Sequence, residues 1–254
     1  MSGQAATTLW IAGKPRPYPT VRLFCFPYAG GSSQLFRKWH EELPPAVEVC
    51  PIELPGRNSR MAEPPFTQLG PLVEAIAGGI RSRLDKPFAL FGHSVGALIA
   101  FELARLLAKN DGPGPIHLFV AACHAPHLPD PYPALHALPE SEFEAGLRSL
   151  NGTRSEVLNN PELMQLLRPV LRADLEVSET YTYRAGPPLQ CPITALGGLQ
   201  EKRIGRELLQ CWSDHTTAAF AVRMLPGDHF FIHTATQLLL RIVSRELTKP
   251  LPDE

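Results

Sequence analysis

Six short runs of almost entirely apolar residues recur along the chain, and segments with a helical spacing of apolar residues separate them. Strands that are covered on both faces of a sheet are apolar nearly throughout, and their alternation with helices is typical of a mostly parallel sheet. We therefore predict an α/β fold with a parallel central sheet flanked by helices. The predicted strands are 21–26, 47–52, 88–91, 118–122, 193–196 and 220–225, and the predicted core helices are 35–43, 69–84, 95–108, 206–212 and 234–247.

The alternation stops between residues 125 and 188, where two helical patterns, 140–150 and 162–183, lie between proline-rich joints. Two helices without an intervening strand favour an inserted helical cap over the carboxyl edge of the sheet, where ligands bind in open α/β folds. An ordinary pair of covering helices is the alternative. The length of 254 residues, with 44% apolar content, predicts a single domain over 1–254 that carries this helical lid at about 125–188.

Charge and cysteine content limit the classes of function. The net charge is −1 with no long basic or acidic block, which argues against nucleic-acid binding and against an electrostatic membrane anchor. The first ten residues lack the pattern of a signal peptide, and no apolar stretch is long enough to span a bilayer. Five cysteines without a C-x-x-C pair are typical of a reduced, cytoplasmic protein.

The sequence GHSVG at 92–96 follows the apolar run 88–91 and opens the predicted helix 95–108. A strand, a sharp turn and a helix are the setting that a G-x-S-x-G nucleophile requires. The turn holds the serine in a strained backbone conformation at a helix N-terminus, where partial positive charge favours a developing negative charge. Ser94 is therefore the predicted nucleophile.

A serine hydroxyl needs a base to accept its proton, and in this architecture the acid and then the histidine follow the serine in the chain. His229 fits because it lies in the loop after the last predicted strand, at the same sheet edge as Ser94. The loop after strand 193–196 contains one acid, Glu201, which we predict orients His229. The alternatives are a solvated surface role for Glu201, with another acid beside His229: Asp228, Asp214 or Asp130.

An oxyanion hole needs two backbone N–H groups directed at the tetrahedral intermediate. We predict the N–H of Val95, which follows the nucleophile, and the N–H of Ala29, in the loop after the first strand. Glycines at 30 and 31 permit close approach of that loop, although they could simply form a turn. The remaining histidines match no zinc spacing, so neither a metal nor a cofactor is predicted.

Taken together, these residues resemble the type II thioesterases that accompany modular polyketide synthases and non-ribosomal peptide synthetases. The resemblance covers nearly the whole chain and rests on FPYAGG at 26–31, LPGR at 54–57, FGHSVG at 91–96, AP at 125–126, GG at 197–198 and PGDHFF at 226–231. It implies the α/β-hydrolase fold with a mobile helical lid, and a monomer. It also implies hydrolysis of acyl thioesters on the phosphopantetheine arm of carrier proteins, which removes stalled or mis-primed acyl groups.

Two positions depart from the family pattern. Tyr28 stands where many members have histidine, a change that leaves the backbone donor unaffected, and Glu201 stands where the family usually has aspartate.

Two other functions stay open: a general carboxylesterase or lipase that uses the same triad, and a non-catalytic carrier-binding protein whose triad is damaged at position 201. Apolar residues of the lid are candidates for the acyl pocket, with core packing as the alternative for each: Leu147, Leu150, Leu163, Leu166 and Leu167.

Overall fold

The computed structural model describes residues 9–13, 15–109, 112–150 and 155–248. Six strands form one sheet in the order β2-β1-β3-β4-β5-β6, and every neighbouring pair runs parallel. The predicted parallel sheet is thereby confirmed. The strands are β1 (Val21–Phe26), β2 (Val47–Pro51), β3 (Phe88–His93), β4 (His117–Ala121), β5 (Ile193–Gly198) and β6 (Phe220–Leu225).

Helices and short 3₁₀ turns connect the strands. The helices are α1 (Trp39–Glu42), α2 (Leu69–Ile80), α3 (Val95–Lys109), α4 (Glu140–Leu150), α5 (Ser155–Leu158), α6 (Pro161–Glu179), α7 (Arg206–Gln210), α8 (Phe231–Thr234) and α9 (Thr236–Leu247). The 3₁₀ turns are Ser33–Phe36, Asn58–Arg60, Arg81–Arg83 and Cys211–His215.

One predicted helix, 35–43, is wrong: this region forms a 3₁₀ turn followed by the single helical turn α1. Phe36 and Trp39 both pack edge-on against Phe91 of β3, with ring centroids 6.1 and 4.9 Å away. Leu43 is extended because a proline follows it, and this ends the helix. Contacts with β3 therefore override the local helical pattern. The predicted helix 234–247 is likewise interrupted at residue 235, which separates α8 from α9.

The strands are apolar because helices cover both faces of the sheet. Every residue of β1, β3 and β5 is buried. Side chains of a strand alternate between its two faces. Phe24 and Phe26 accordingly belong to the core formed with α2 and α3, whereas Leu23 and Cys25 belong to the core formed with α9.

Between β4 and β5 lie α4, α5 and α6, and the described residues of 125–188 contain no strand of the sheet. We call this segment the insertion. The side chain of Asn160 caps α6 by accepting hydrogen bonds from the N–H groups of Glu162 and Leu163. Whether the insertion moves as a lid stays a prediction. Its small apolar core consists of Leu135, Phe143, Leu147, Leu158, Met164 and Leu171.

Among the described helices, none combines the length and the apolar character that crossing a bilayer would require.

Candidate active site

Ser94 occupies the sharp turn between β3 and α3, with a φ of 56°. Its N–H donates a hydrogen bond to the Ala121 carbonyl at 2.8 Å, which ties the turn to β4. The two flanking glycines leave no room for a side chain: a Cβ on Gly92 would lie 2.0 Å from the Gly96 oxygen, and a Cβ on Gly96 would lie 2.3 Å from the Phe26 oxygen. The predicted strand–turn–helix setting of Ser94 is present, and its side chain is partly exposed.

Glu201 lies next to the ring of His229. Its Oε2 accepts a hydrogen bond from His229 Nδ1 at 2.8 Å, and its Oε1 accepts one from the Arg203 N–H at 2.9 Å. The Glu201 side chain is only 6% exposed, so the solvated surface role does not fit. Burial alone would raise the pKa of Glu201, but the hydrogen bonds from His229 and Arg203 more than offset it and the pKa is lowered. The carboxyl group is therefore ionised near neutral pH.

None of the three alternative acids makes a hydrogen bond to the His229 ring among the described residues. Asp228 accepts a hydrogen bond from the Phe230 N–H at 2.8 Å, and the Asp214 and Asp130 side chains are largely exposed near His127 and Arg203. In the described part of the chain, Glu201 is the one carboxylate hydrogen-bonded to the His229 ring.

The turn that holds Ser94 is joined to the loop that holds His229. His93 Nε2 lies 2.8 Å from the His229 carbonyl oxygen, and the two rings are 5.5 Å apart. A carbonyl only accepts, so His93 Nε2 carries the proton, while its Nδ1 is buried without a partner among the described residues. Burial holds the pKa of His93 well below its ordinary value, and the ring is neutral.

Sequence reasoning missed this role of His93, because the G-x-S-x-G pattern assigns a function only to the serine and the two glycines. The sequence held one signal: residue 93 lies between the predicted strand 88–91 and the predicted helix 95–108, at the sheet edge that carries the other loops. The loops that hold Glu201 and His229 also touch. The Gln200 N–H donates to the Gly227 carbonyl at 2.9 Å, and a Cβ on Gly198 would lie 2.4 Å from the Asp228 oxygen.

Ser94 and His229 lie on adjoining loops, and both side chains are partly exposed. The described residues show no hydrogen bond between the Ser94 hydroxyl and the His229 ring. Hydrogen bonds of this kind are often long or poorly aligned before substrate binds.

Residues 28–31 form a tight turn, in which the Gly31 N–H donates to the Tyr28 carbonyl at 2.8 Å. Gly30 has a φ of 73°, which is the conformation that the third residue of a type II turn requires. The Tyr28 carbonyl and the Ala29 N–H belong to one planar peptide group, so the Ala29 N–H points out of the turn. Neither this N–H nor that of Val95 has a hydrogen-bond partner within the described ranges.

A cavity of about 360 Å³ adjoins this turn. Of the five leucines predicted for an acyl pocket, Leu167 lines the cavity, while Leu147 packs in the core of the insertion. Leu163 and Leu166 are exposed, at 40% and 53%. The Leu150 side chain lies outside the described residues. The lining consists of residues 28–32, Gln34, Leu35, Val157, Leu167, Leu171 and His233, and excludes Ser94.

The chain matches the family model described as Thioesterase domain over residues 21–247. It is 46% identical over 230 residues to Linear gramicidin dehydrogenase LgrE of Brevibacillus parabrevis, which covers 89% of this chain and 88% of that protein. The RedJ thioesterase from the prodiginine biosynthetic pathway of Streptomyces coelicolor superposes with a TM-score of 0.84 at 38% identity, over 92% of this chain and 95% of RedJ. The type II thioesterase BorB from the borrelidin biosynthetic cluster gives a TM-score of 0.87 at 34% identity, over 96% of this chain and 100% of BorB.

These similarities span nearly the full length of both proteins in each comparison, and the TM-scores of 0.84 and 0.87 show that the solved structures share the fold of this chain. The resemblance drawn from the six sequence segments is confirmed. The chain has the α/β-hydrolase fold and belongs to the thioesterase family, in which its relatives include type II thioesterases of biosynthetic clusters.

Proposed function

We propose that this protein is a serine thioesterase that hydrolyses acyl groups from the phosphopantetheine arm of carrier proteins in polyketide or non-ribosomal peptide biosynthesis. Ser94 is the nucleophile, His229 its base, and Glu201 the acid that orients His229. The observation that carries this proposal is the 2.8 Å hydrogen bond from His229 to the buried carboxylate of Glu201. The loop that holds His229 is in turn joined to the turn of Ser94 by the hydrogen bond from His93.

In the first half-reaction, the Ser94 oxygen attacks the thioester carbonyl carbon and His229 Nε2 takes the hydroxyl proton. The N–H groups of Ala29 and Val95 hold the oxyanion. The intermediate collapses by breaking the carbon–sulfur bond, and the pantetheine thiolate receives the proton from His229. Water then attacks the acyl–Ser94 ester by the same route, which releases the carboxylic acid and restores the hydroxyl.

Glutamate can take the place of the usual aspartate because its loop accommodates the extra methylene. The carboxylate reaches Nδ1 at a normal hydrogen-bond distance and is also held by the Arg203 N–H. This geometry supports a working triad over the non-catalytic alternative, in which position 201 would be damaged.

The cavity beside Ala29 is the proposed acyl site. Its volume is within the range of small-ligand pockets, roughly 300–1,000 Å³. Leu35, Val157, Leu167 and Leu171 supply apolar contacts for an acyl chain, and the pantetheine arm enters beneath the insertion, which acts as the lid.

Carrier proteins are the proposed partners because relatives such as RedJ and BorB are thioesterases of biosynthetic pathways. One relative is called a dehydrogenase, but that activity is not carried over, because the sequence contains no Gly-x-Gly-x-x-Gly segment. We further propose that the protein acts as a monomer in the cytoplasm, in keeping with its five free cysteines.

The test compares two substrate classes at equal acyl chain length. We expect kcat/KM for acyl-pantetheine and acyl-carrier thioesters to exceed that for the matching aryl esters. A wide preference for the aryl ester would favour the general carboxylesterase. Labelling by a fluorophosphonate probe should be strong in the wild type and lost in Ser94→Ala, and a protein that resists labelling would favour the non-catalytic alternative.

A further inference from the structure

We propose that Asp174 and Arg57 are positioning residues for the oxyanion hole, so that the turn at 28–31 is held in its competent conformation only while α6 of the insertion is seated on it. This inference rests on the proposed function. It adds a second task for the insertion, beyond covering the substrate.

The Asp174 carboxylate, on α6, is buried and contacts the turn at 28–31 directly. Its Oδ2 accepts a hydrogen bond from the Gly30 N–H at 2.7 Å. Both of its oxygens also accept from Arg57, at 3.0 Å from Nη1 and 2.8 Å from Nη2. The side chains are nearly inaccessible, at 8% and 5% exposure, so this is a bidentate pair shielded from water.

Arg57 binds the same turn through a hydrogen bond of its own. Its Nη1 also donates to the Gly31 carbonyl at 2.7 Å. Each of the four peptide groups between Tyr28 and residue 32 therefore takes part in a hydrogen bond. The 28–29 and 30–31 groups bond to each other through the Tyr28 carbonyl and the Gly31 N–H, the 29–30 group donates the Gly30 N–H to Asp174, and the 31–32 group accepts from Arg57 at the Gly31 carbonyl. Because each peptide group is planar, fixing the Tyr28 carbonyl also fixes the direction of the Ala29 N–H.

The contacts of α6 make this hold dependent on the insertion. A Cβ on Gly30 would lie 2.5 Å from the Leu171 side chain, and a Cβ on Gly56 would lie 3.2 Å from that of Val170. The residues of α6 thus pack directly on the turn and on the segment that carries Arg57. If α6 lifts, the Gly30 N–H loses its acceptor and Arg57 loses the carboxylate that holds it against the Gly31 carbonyl. Of the hydrogen bonds described above, the turn then keeps only the one from the Gly31 N–H to the Tyr28 carbonyl, so the whole turn, and with it the Ala29 N–H, can shift relative to Ser94.

A buried ion pair could instead serve only stability, so the test must separate the two roles. Arg57→Met/Asp174→Leu removes both charges together and leaves no unpaired charge, a replacement that proteins commonly tolerate. We expect kcat on an acyl-pantetheine thioester to fall on the order of 10- to 100-fold, less than the loss of a whole oxyanion donor, with KM within about twofold. The affinity for a trifluoromethyl ketone analogue, which forms an oxyanion on Ser94, should fall by a similar factor.

The matched control is Glu144→Gln, which removes an ion pair with Arg168 inside the insertion and leaves the turn untouched. It should keep wild-type kcat and analogue affinity. Arg57→Lys is the second variant, because lysine retains the charge but cannot contact Asp174 in a bidentate manner and the Gly31 carbonyl together. We expect it to lower kcat by about fivefold or more while the protein stays folded at the assay temperature, with a melting temperature lowered by the lost hydrogen bond.

Wild-type kcat in the folded double variant, or in Arg57→Lys, would overturn the proposal. A rise in KM alone would also overturn it and would assign these residues to substrate binding. A wild-type protein without thioesterase turnover would be a failure of the proposed function instead, and it is recognised before any variant is compared.

Discussion

At the scale of single residues, the proposed triad depends on how Glu201 is held. Burial would raise its pKa, yet the hydrogen bonds from His229 and the Arg203 N–H lower it. The ionised carboxylate accepts the Nδ1 proton of His229, and this fixes the tautomer in which Nε2 can accept a proton from Ser94.

We expect Glu201→Gln and Glu201→Ala to lower kcat by roughly 10²- to 10⁴-fold, because His229 loses its orienting acceptor. Glu201→Asp keeps the charge but shortens the side chain by one methylene, and its kcat should be intermediate. Steady-state kinetics on one thioester would measure all three. A Glu201→Ala protein with wild-type kcat would refute the assignment of the acid without affecting that of the nucleophile.

The lowered pKa of Glu201 also predicts a pH dependence of stability. Its value is lower in the folded state than the ordinary 4.5, so the ionised group stabilises the fold above the unfolded-state pKa, and this contribution disappears as pH falls through the folded-state value. The free energy of unfolding of the wild type, relative to Glu201→Gln, should therefore decline from about pH 5 towards pH 3. Urea unfolding at several pH values measures this difference; a flat profile would contradict it.

His93 gives a prediction for the link between the turn that holds Ser94 and the loop that holds His229. His93→Phe keeps an aromatic ring but leaves the His229 carbonyl without its donor. We expect the free energy of unfolding to fall by about 1–3 kcal/mol, together with a loss of kcat. In His93→Gln, the side-chain amide can donate in place of Nε2, so part of both losses should be recovered. Equal kcat in all three proteins would show that the link is dispensable.

At the scale of elements, α3 approaches β3 at Gly92 and the end of β1 at Gly96 so closely that only glycine fits at both positions. Gly96→Ala should destabilise the protein by several kcal/mol, because the new methyl group would collide with backbone that cannot move. Gly78→Ala is the control: it lies in α2, has no atom within 4 Å of the added Cβ, and should stabilise by up to about 1 kcal/mol. Thermal unfolding distinguishes the two, and similar melting temperatures would contradict this account of the turn.

The helix α6 offers a test of the proposed acyl site. Leu167→Trp should fill part of the cavity and lower kcat/KM for long acyl chains by about tenfold or more, with little effect on acetyl. Leu163→Trp, on the exposed side of the same helix, should change neither. Unchanged chain-length preference in Leu167→Trp would remove the cavity from the acyl site.

The elements that sequence could predict are those whose pattern is local. All six strands are predominantly apolar runs, and the turn around Ser94 follows from its glycines and from its position between a strand and a helix. The 35–43 region could not be predicted correctly, because its backbone follows the packing of Phe36 and Trp39 on Phe91. The contact between Asp174 and Arg57 could not be predicted from the sequence either. The two residues are 117 positions apart, and only the packing of α6 brings them together.

At the scale of the whole molecule, the parallel sheet brings distant segments to one edge. Residues 29, 94, 201 and 229 follow β1, β3, β5 and β6 respectively, and the insertion follows β4. The carboxyl ends of parallel strands all lie at the same edge, which is where open α/β folds bind ligands. This topology explains why the loops of the proposed nucleophile, base and acid, spread over 136 residues, adjoin one another.

The central claim is that Ser94 carries the acyl group between the carrier thiol and water. The most direct test mixes the protein with an acyl-carrier thioester, quenches the reaction within milliseconds to seconds, and maps the acyl mass on tryptic peptides. We predict a transient acyl group on the peptide containing Ser94, free carrier thiol in the same amount, and neither in Ser94→Ala. Release of acid at the wild-type rate by Ser94→Ala, or acylation of a different residue, would contradict this account.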